Sequence, residues 1–161
     1  MSVHVHMTRP ADWYTSPPAH VGVIAKAWPF VRALFRAGVG LLFMEHGLQK
    51  IFGFFGGMGP QGGTVPLAST MGVAGVLELV GGLLLILGLL TRPVGFILMC
   101  EMLVAYFTAH MPHGGWPIQN HGELALLYAL VFAFFAVDGA GPVSIDHAVE
   151  QSRQGMGSDL R

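Results

Sequence analysis

Four stretches of this chain constrain its fold more than any other feature. About Phe30 to Phe52, Met71 to Leu90, Pro93 to Met111 and Gly122 to about Ala140 are each apolar for close to the ~20 residues that cross ~30 Å of hydrocarbon. Inside lipid only helices and closed barrels satisfy their own backbone, and these segments lack the alternating ~10-residue pattern of barrel strands. The expectation is an all-α fold: an integral membrane four-helix bundle over residues 30–140, with a polar amino-terminal arm over 1–29 and a polar tail over 141–161. Composition agrees, since only 11% of the 161 residues are charged, against roughly 25% in soluble domains. So few charges cannot cover a water-facing surface, and a formal net charge of −1 leaves no footprint for nucleic acid. The single cysteine, Cys100, excludes an intrachain disulfide framework, a CxxC redox pair and a thiolate zinc cage.

The second and third segments are nearly continuous apolar runs, broken only by Glu78 and Glu101. The first carries Arg32, Arg36, Glu45, His46, Gln49 and Lys50. It still spans if Arg36 snorkels to one interface and Lys50 to the other, a rise of roughly 27 Å at ~1.5 Å per residue. Asn120, three residues before Glu123, reads as the N-cap of the fourth helix, which ends at Asp138, Gly139, Gly141 and Pro142. If the helices alternate, Arg9, Lys26, Arg32, Arg36, Arg92, Arg153 and Arg161 share one side and Lys50 lies on the other. By the positive-inside rule both termini and the tight Thr91-Arg92-Pro93 turn are then cytoplasmic. Residues 1–20 contain no apolar core of a secretory signal, so the first helix is the expected insertion signal. Val21 to Trp28 reads as an interfacial segment redirected by Pro29, and His4 and His6 as residues of a frayed terminus.

Chemistry is concentrated in the buried carboxylates. Glu45, Glu78 and Glu101 interrupt apolar helices, where an acidic side chain costs a few kcal/mol, about +2.5 to +3.5 on insertion scales, and is rarely placed against lipid. Ala74, Glu78 and Gly82 form an i, i+4, i+8 stripe beside Gly75 and Gly81, a small-residue face that permits close helix approach. Glu101 shares a face with Ala105 and Thr108, and Glu45 with Gly38 and Gln49. Counted from the outer helix ends, Glu45 and Glu78 lie roughly 10 Å deep and Glu101 roughly 15 Å. His110, His121 and Glu123 would sit above them, with His46 and Lys50 as cationic partners. This outward-opening polar layer suits proton uptake and release; a hydrogen-bonded core that fixes helix register is the plainer alternative. His110, His113 and His121 with the glutamates could supply metal ligands, yet no Glu-x-x-His pair of the di-iron type occurs, and nothing in the spacing selects metal or haem. Gly57-Met58-Gly59-Pro60-Gln61-Gly62 matches GxGxxG only formally, because it follows a membrane helix and contains proline.

The run Gly40-Leu41-Leu42-Phe43-Met44-Glu45-His46-Gly47-Leu48-Gln49-Lys50-Ile51-Phe52-Gly53 closely resembles the first-helix motif of the DoxX family of bacterial membrane proteins. Glu78-Leu79-Val80-Gly81-Gly82, followed by Gly88-Leu89-Leu90-Thr91-Arg92, resembles that family's second helix and turn, and Met102 to His110 and Glu123 also fit. The resemblance covers about Phe30 to Asp138 and implies a four-helix protein of the bacterial inner membrane, associated with quinone-linked redox complexes. It marks Glu45, His46, Lys50, Glu78, Arg92, His110 and Glu123 as site candidates; Glu101 rests on the physical argument alone. The preferred function is the membrane subunit of a quinone-linked oxidoreductase, in which Glu78, Glu101, Glu45 and His46 act on protons and Lys50, Gln49, His110, Glu123 and His121 contact substrate. The quinone is its expected cofactor, and other complex subunits its expected partners besides the bilayer; a homo-oligomer is compatible with the sequence. A non-catalytic anchor for a redox enzyme and a small-molecule or proton transporter are the alternatives.

Overall fold

A computed structural model describes residues 21–158; His4, His6, Arg9 and Arg161 lie outside the described residues. Among those described, every regular element is helical: α1 Val21–Phe52, α2 Thr70–Leu87, α3 Thr91–Ala105, α4 Pro117–Asn120, α5 Glu123–Asp138 and α6 Ile145–Ser158. A π turn over Tyr106–His110 and a 3-10 turn over Met111–His113 prolong α3. Three helices are long and apolar enough to cross a membrane: Ala25–Phe52, Thr70–Leu87 and Thr91–His113. The expected fourth span is shorter. α5 has 16 residues and rises roughly 24 Å at ~1.5 Å each, short of the ~30 Å of hydrocarbon.

Sequence explains where α2 ends. Ser69 accepts the Gly72 N–H as N-cap. At the other end Gly88 adopts φ 65°, and Leu89 N–H returns to Leu84 O at 3.0 Å, the Schellman arrangement that satisfies terminal carbonyls. The reversal occupies Gly88 to Leu90, so Thr91-Arg92-Pro93, expected as the turn, forms the first turn of α3. Three further expectations are corrected. Pro29 does not redirect the chain, because α1 is one helix from Val21 to Phe52; proline removes its own N–H and leaves the rest of the ladder intact. Asn120 does not cap α5: the cap is Gly122, and the Asn120 side chain instead accepts Gly122 N–H at 2.9 Å and donates to Gly114 O at 2.8 Å. Within the tail, residues 145–158 form α6, whose Asp146 carboxylate takes Leu90 N–H at 2.7 Å and Thr91 N–H at 2.9 Å. An anion is thereby placed at the positive amino-terminal end of α3.

Glycine sets the helix pairs. α1 packs on α2, α3 on α5, and α2 meets α3 next to their short connection. A Cβ on Gly40 would lie 2.7 Å from Gly82 O, and one on Gly47 2.8 Å from Leu79 Cα and 2.7 Å from Gly75 O, so the backbones of α1 and α2 are in contact. Gly95 seats α3 equally closely on Phe132 O and Ala136 N of α5. In lipid such packing contributes dispersion and interhelical contact rather than removal of apolar surface from water. The enclosed core comprises Phe43, Leu85, Leu98, Phe132 and Phe135, with the Phe43 and Phe132 rings edge to face at 4.7 Å. We expect Gly47→Val to lower the thermal midpoint in detergent by the equivalent of about 1–3 kcal/mol, since its clash is with backbone that cannot rotate away. Gly38→Val, which meets nothing within 4 Å, leaves the midpoint unchanged; equal shifts in both variants would exclude the close crossing as the cause.

Candidate functional site

Arginine gathers one end of the molecule. Arg36 is 3% exposed and does not reach an interface as expected. Its Nε donates to Leu85 O at 2.8 Å, and its terminal nitrogens donate to Ala140 O and, at 3.0 Å, to Val143 O. These carbonyls belong to the last turn of α2 and to the α5–α6 link, where helix ends leave acceptors unfilled. A guanidinium with five fixed donors suits that task. Beside it Arg32 pairs with Asp138, and exposed Arg92 donates to Val137 O and Asp138 O at the end of α5. This end is structural glue.

The chemistry lies at the opposite end. Lys50, in the last turn of α1, donates to Glu78 Oε1 on α2. Glu78 is 3% exposed and the Lys50 side chain 13%; the Gly47 crossing one turn away on α1 brings the two helices close enough for the pair to form. Both residues line a cavity of about 680 Å³ bounded by α1, α2, α3 and α5. Apolar walls from Phe43, Leu77, Phe96, Ile97, Val104 and Leu124 surround a small polar set: His46, Lys50, Glu78, Glu101, Thr108, His110, His121 and Tyr128. Ligand cavities of roughly 300–1,000 Å³ commonly combine apolar walls with a few placed polar groups.

Three carboxylate oxygens in this wall lack a hydrogen-bond partner although buried: Glu78 Oε2 and both oxygens of Glu101. Buried polar atoms are nearly always paired, so an orphaned group calls for an explanation. His110 is held at the far end by donating Nδ1–H to Asn120 O at 3.1 Å, which leaves Nε2 as an acceptor. The π turn carries His110 onto this side of α3 and brings its ring over Tyr106, 6.5 Å between centroids. His46 lies edge-on to Phe43 and Tyr128 at 6.4 and 6.2 Å.

The structure therefore brings together Lys50, Glu78, Glu101, His46, His110 and His121. It leaves Glu45 and Gln49 partly buried on α1 outside the cavity wall, and Glu123 exposed in the first turn of α5. His113 is exposed and bonds Ala109 O. Among the described residues no group of three or more His, Cys, Asp or Glu side chains is close enough to hold one metal ion. Sequence reasoning missed Tyr128, Phe43 and the structural part of Asn120. Tyr128 was the legible one, being the sole hydroxyl within the apolar run of α5.

The family model for DoxX matches residues 31–111. A protein of Haemophilus influenzae described only as uncharacterized is 48% identical over 60 residues, 35% of this chain and 45% of that protein. The chain thus matches less than half the length of that relative. No solved structure matches.

Proposed function

The chain belongs to the DoxX family, and from that premise and the cavity we propose that it is the integral membrane subunit of a quinone-linked oxidoreductase complex, with the cavity as its quinone or small-substrate site. The observation that carries this reading is the trio of unpartnered oxygens on Glu78 and Glu101 at the wall of an otherwise apolar chamber. A quinone fits such a chamber: its ring and tail match apolar walls, and its oxygens match a few polar groups at one side. When bound, it supplies the electron-accepting chemistry, which the side chains here do not.

The residues of the chain supply the rest. Glu78 and Glu101 exchange protons with the bound headgroup, and Lys50 balances the charge of Glu78. His110, its Nδ1–H held by the Asn120 carbonyl, offers Nε2 as a proton relay between cavity and water. Phe43, Leu77 and Leu124 exclude water from the headgroup. In this reading α5 is the fourth span, its shortness accommodated by local bilayer thinning. The arginine-bearing end faces the cytoplasm with both termini, and the cavity end faces outwards across the bacterial inner membrane.

A quinone site of this kind exchanges electrons with a partner, which in this reading is a soluble or peripheral dehydrogenase. Purification from native membranes in mild detergent, with mass spectrometry of subunits and extracted lipids, is expected to recover such a partner together with quinone. Recovery of a partner without quinone, in repeated preparations, would favour the anchor role instead.

A further inference from the structure

We propose that the cavity opens sideways to the bilayer through a slot between α2 and α3, so that it selects a ligand with a long apolar tail carried in the membrane; this rests on the reading of the cavity as a quinone site. α2 and α3 touch at Gly81, where a Cβ would lie 2.8 Å from the Leu98 side chain. From that contact toward the Lys50 end both helices contribute residues to the cavity lining. Each is tied to a different neighbour: Gly75 sits against Lys50 and Ile51 of α1, and Gly95 against Phe132 and Ala136 of α5. With partners on either side holding them, α2 and α3 meet at Gly81, and both line the cavity on the Lys50 side of that contact.

The slot faces lipid. Val73 on α2 and Ile97 and Val104 on α3 line the cavity and are 54%, 49% and 57% exposed, about half their surface. Such exposure is far more than an enclosed wall leaves a side chain, which places all three at an open side of the chamber, and all three are apolar. Val73 and Leu77 lie one turn apart on α2, and Ile97, Glu101 and Val104 follow one face of α3. The slot thus leads from hydrocarbon past apolar side chains to the unpartnered carboxylates of Glu101 and Glu78. That order, tail region outside and polar groups within, suits an amphiphile entering head first. A water-soluble ligand would use the polar mouth at His110 and His121 and gain nothing from the slot.

The test embeds the full chain in nanodiscs and measures equilibrium binding, on a mole-fraction-in-lipid scale, of two probes: a benzoquinol with an isoprenoid tail and the same ring without one. Val73→Trp and Ile97→Trp narrow the slot from exposed positions. Each is expected to weaken the tailed probe by about tenfold or more and to leave the tailless one within about twofold, the scale of a blocked apolar contact. Should a tryptophan variant fail to fold, Val73→Ser and Ile97→Ser place a hydroxyl in the slot and are expected to weaken the tailed probe alone. Variants that leave tailed binding unchanged, or that weaken both probes equally, overturn the lateral slot while the quinone reading stands. A wild-type protein that binds neither probe overturns the quinone reading itself, and the slot with it.

Discussion

Glu101→Gln is expected to lower the proposed quinone-coupled turnover in native membranes by about a hundredfold or more, while the protein accumulates and melts as the wild type does. The substitution keeps the shape of the side chain and removes its capacity to take up and release a proton, and a positioned acid or base typically contributes ~10²–10⁴-fold. No internal hydrogen bond is lost, because neither oxygen of Glu101 has a partner; a role confined to packing would therefore leave turnover intact. Glu78→Gln is expected to reduce turnover similarly and also to loosen the Lys50 contact, so that its melting temperature moves as well. Full turnover in both variants would sink the proton-exchange mechanism. If turnover then proved sensitive only to changes in the loops between helices, the anchor role would remain. Proton or solute flux into proteoliposomes without any electron donor or acceptor would identify a transporter.

Lys50→Met costs about 3–5 kcal/mol of stability, because it strands the Glu78 carboxylate in a nearly solvent-free position. The double variant Lys50→Met/Glu78→Leu recovers most of that loss, since a matched apolar pair replaces the ion pair without leaving a charge behind. Thermal unfolding in detergent, read as a double-mutant cycle, gives the coupling directly. A double variant no more stable than the single one would mean that the pair is not what holds these ends of α1 and α2 together. Turnover distinguishes the stability role from the chemical one: the double variant is expected to be stable and inactive, because Glu78 is absent from the cavity.

The contrast between these two glutamates indicates how far one-dimensional reasoning reaches. Helical periodicity placed Glu78 on a face with Gly75, Gly81 and Gly82, and that face is the one buried against α1 and α3. It also offered Lys50 as a cationic partner for the buried glutamates, without choosing among them. Rotation of α1 decides the matter: Arg36, Gly40, Phe43 and Gly47 are its buried positions among the described residues, Lys50 continues their stripe, and Glu45 falls to the side. Arg36 belongs to the same stripe, so a residue expected to reach for headgroups is instead enclosed and bonded to three carbonyls. Of the seven basic residues that set the expected orientation, Arg36 thus also ties the ends of α2 and α5 together. The anchoring of α6 left no trace in hydropathy, because one carboxylate, Asp146, docks its start on a distant helix end.

Sequence alone determined that this chain is helical and carries membrane-length segments, and which acidic residues are costly enough to demand partners. Those properties are local: backbone desolvation, segment length and the cost of a buried charge act within a few residues. Only the tertiary structure decided which polar groups meet, that Glu101 remains without a partner, and that a cavity lined by α1, α2, α3 and α5 lies beside it. Those outcomes depend on how each helix is rotated and how closely its glycines let it approach a neighbour, and neither quantity is a property of any single segment.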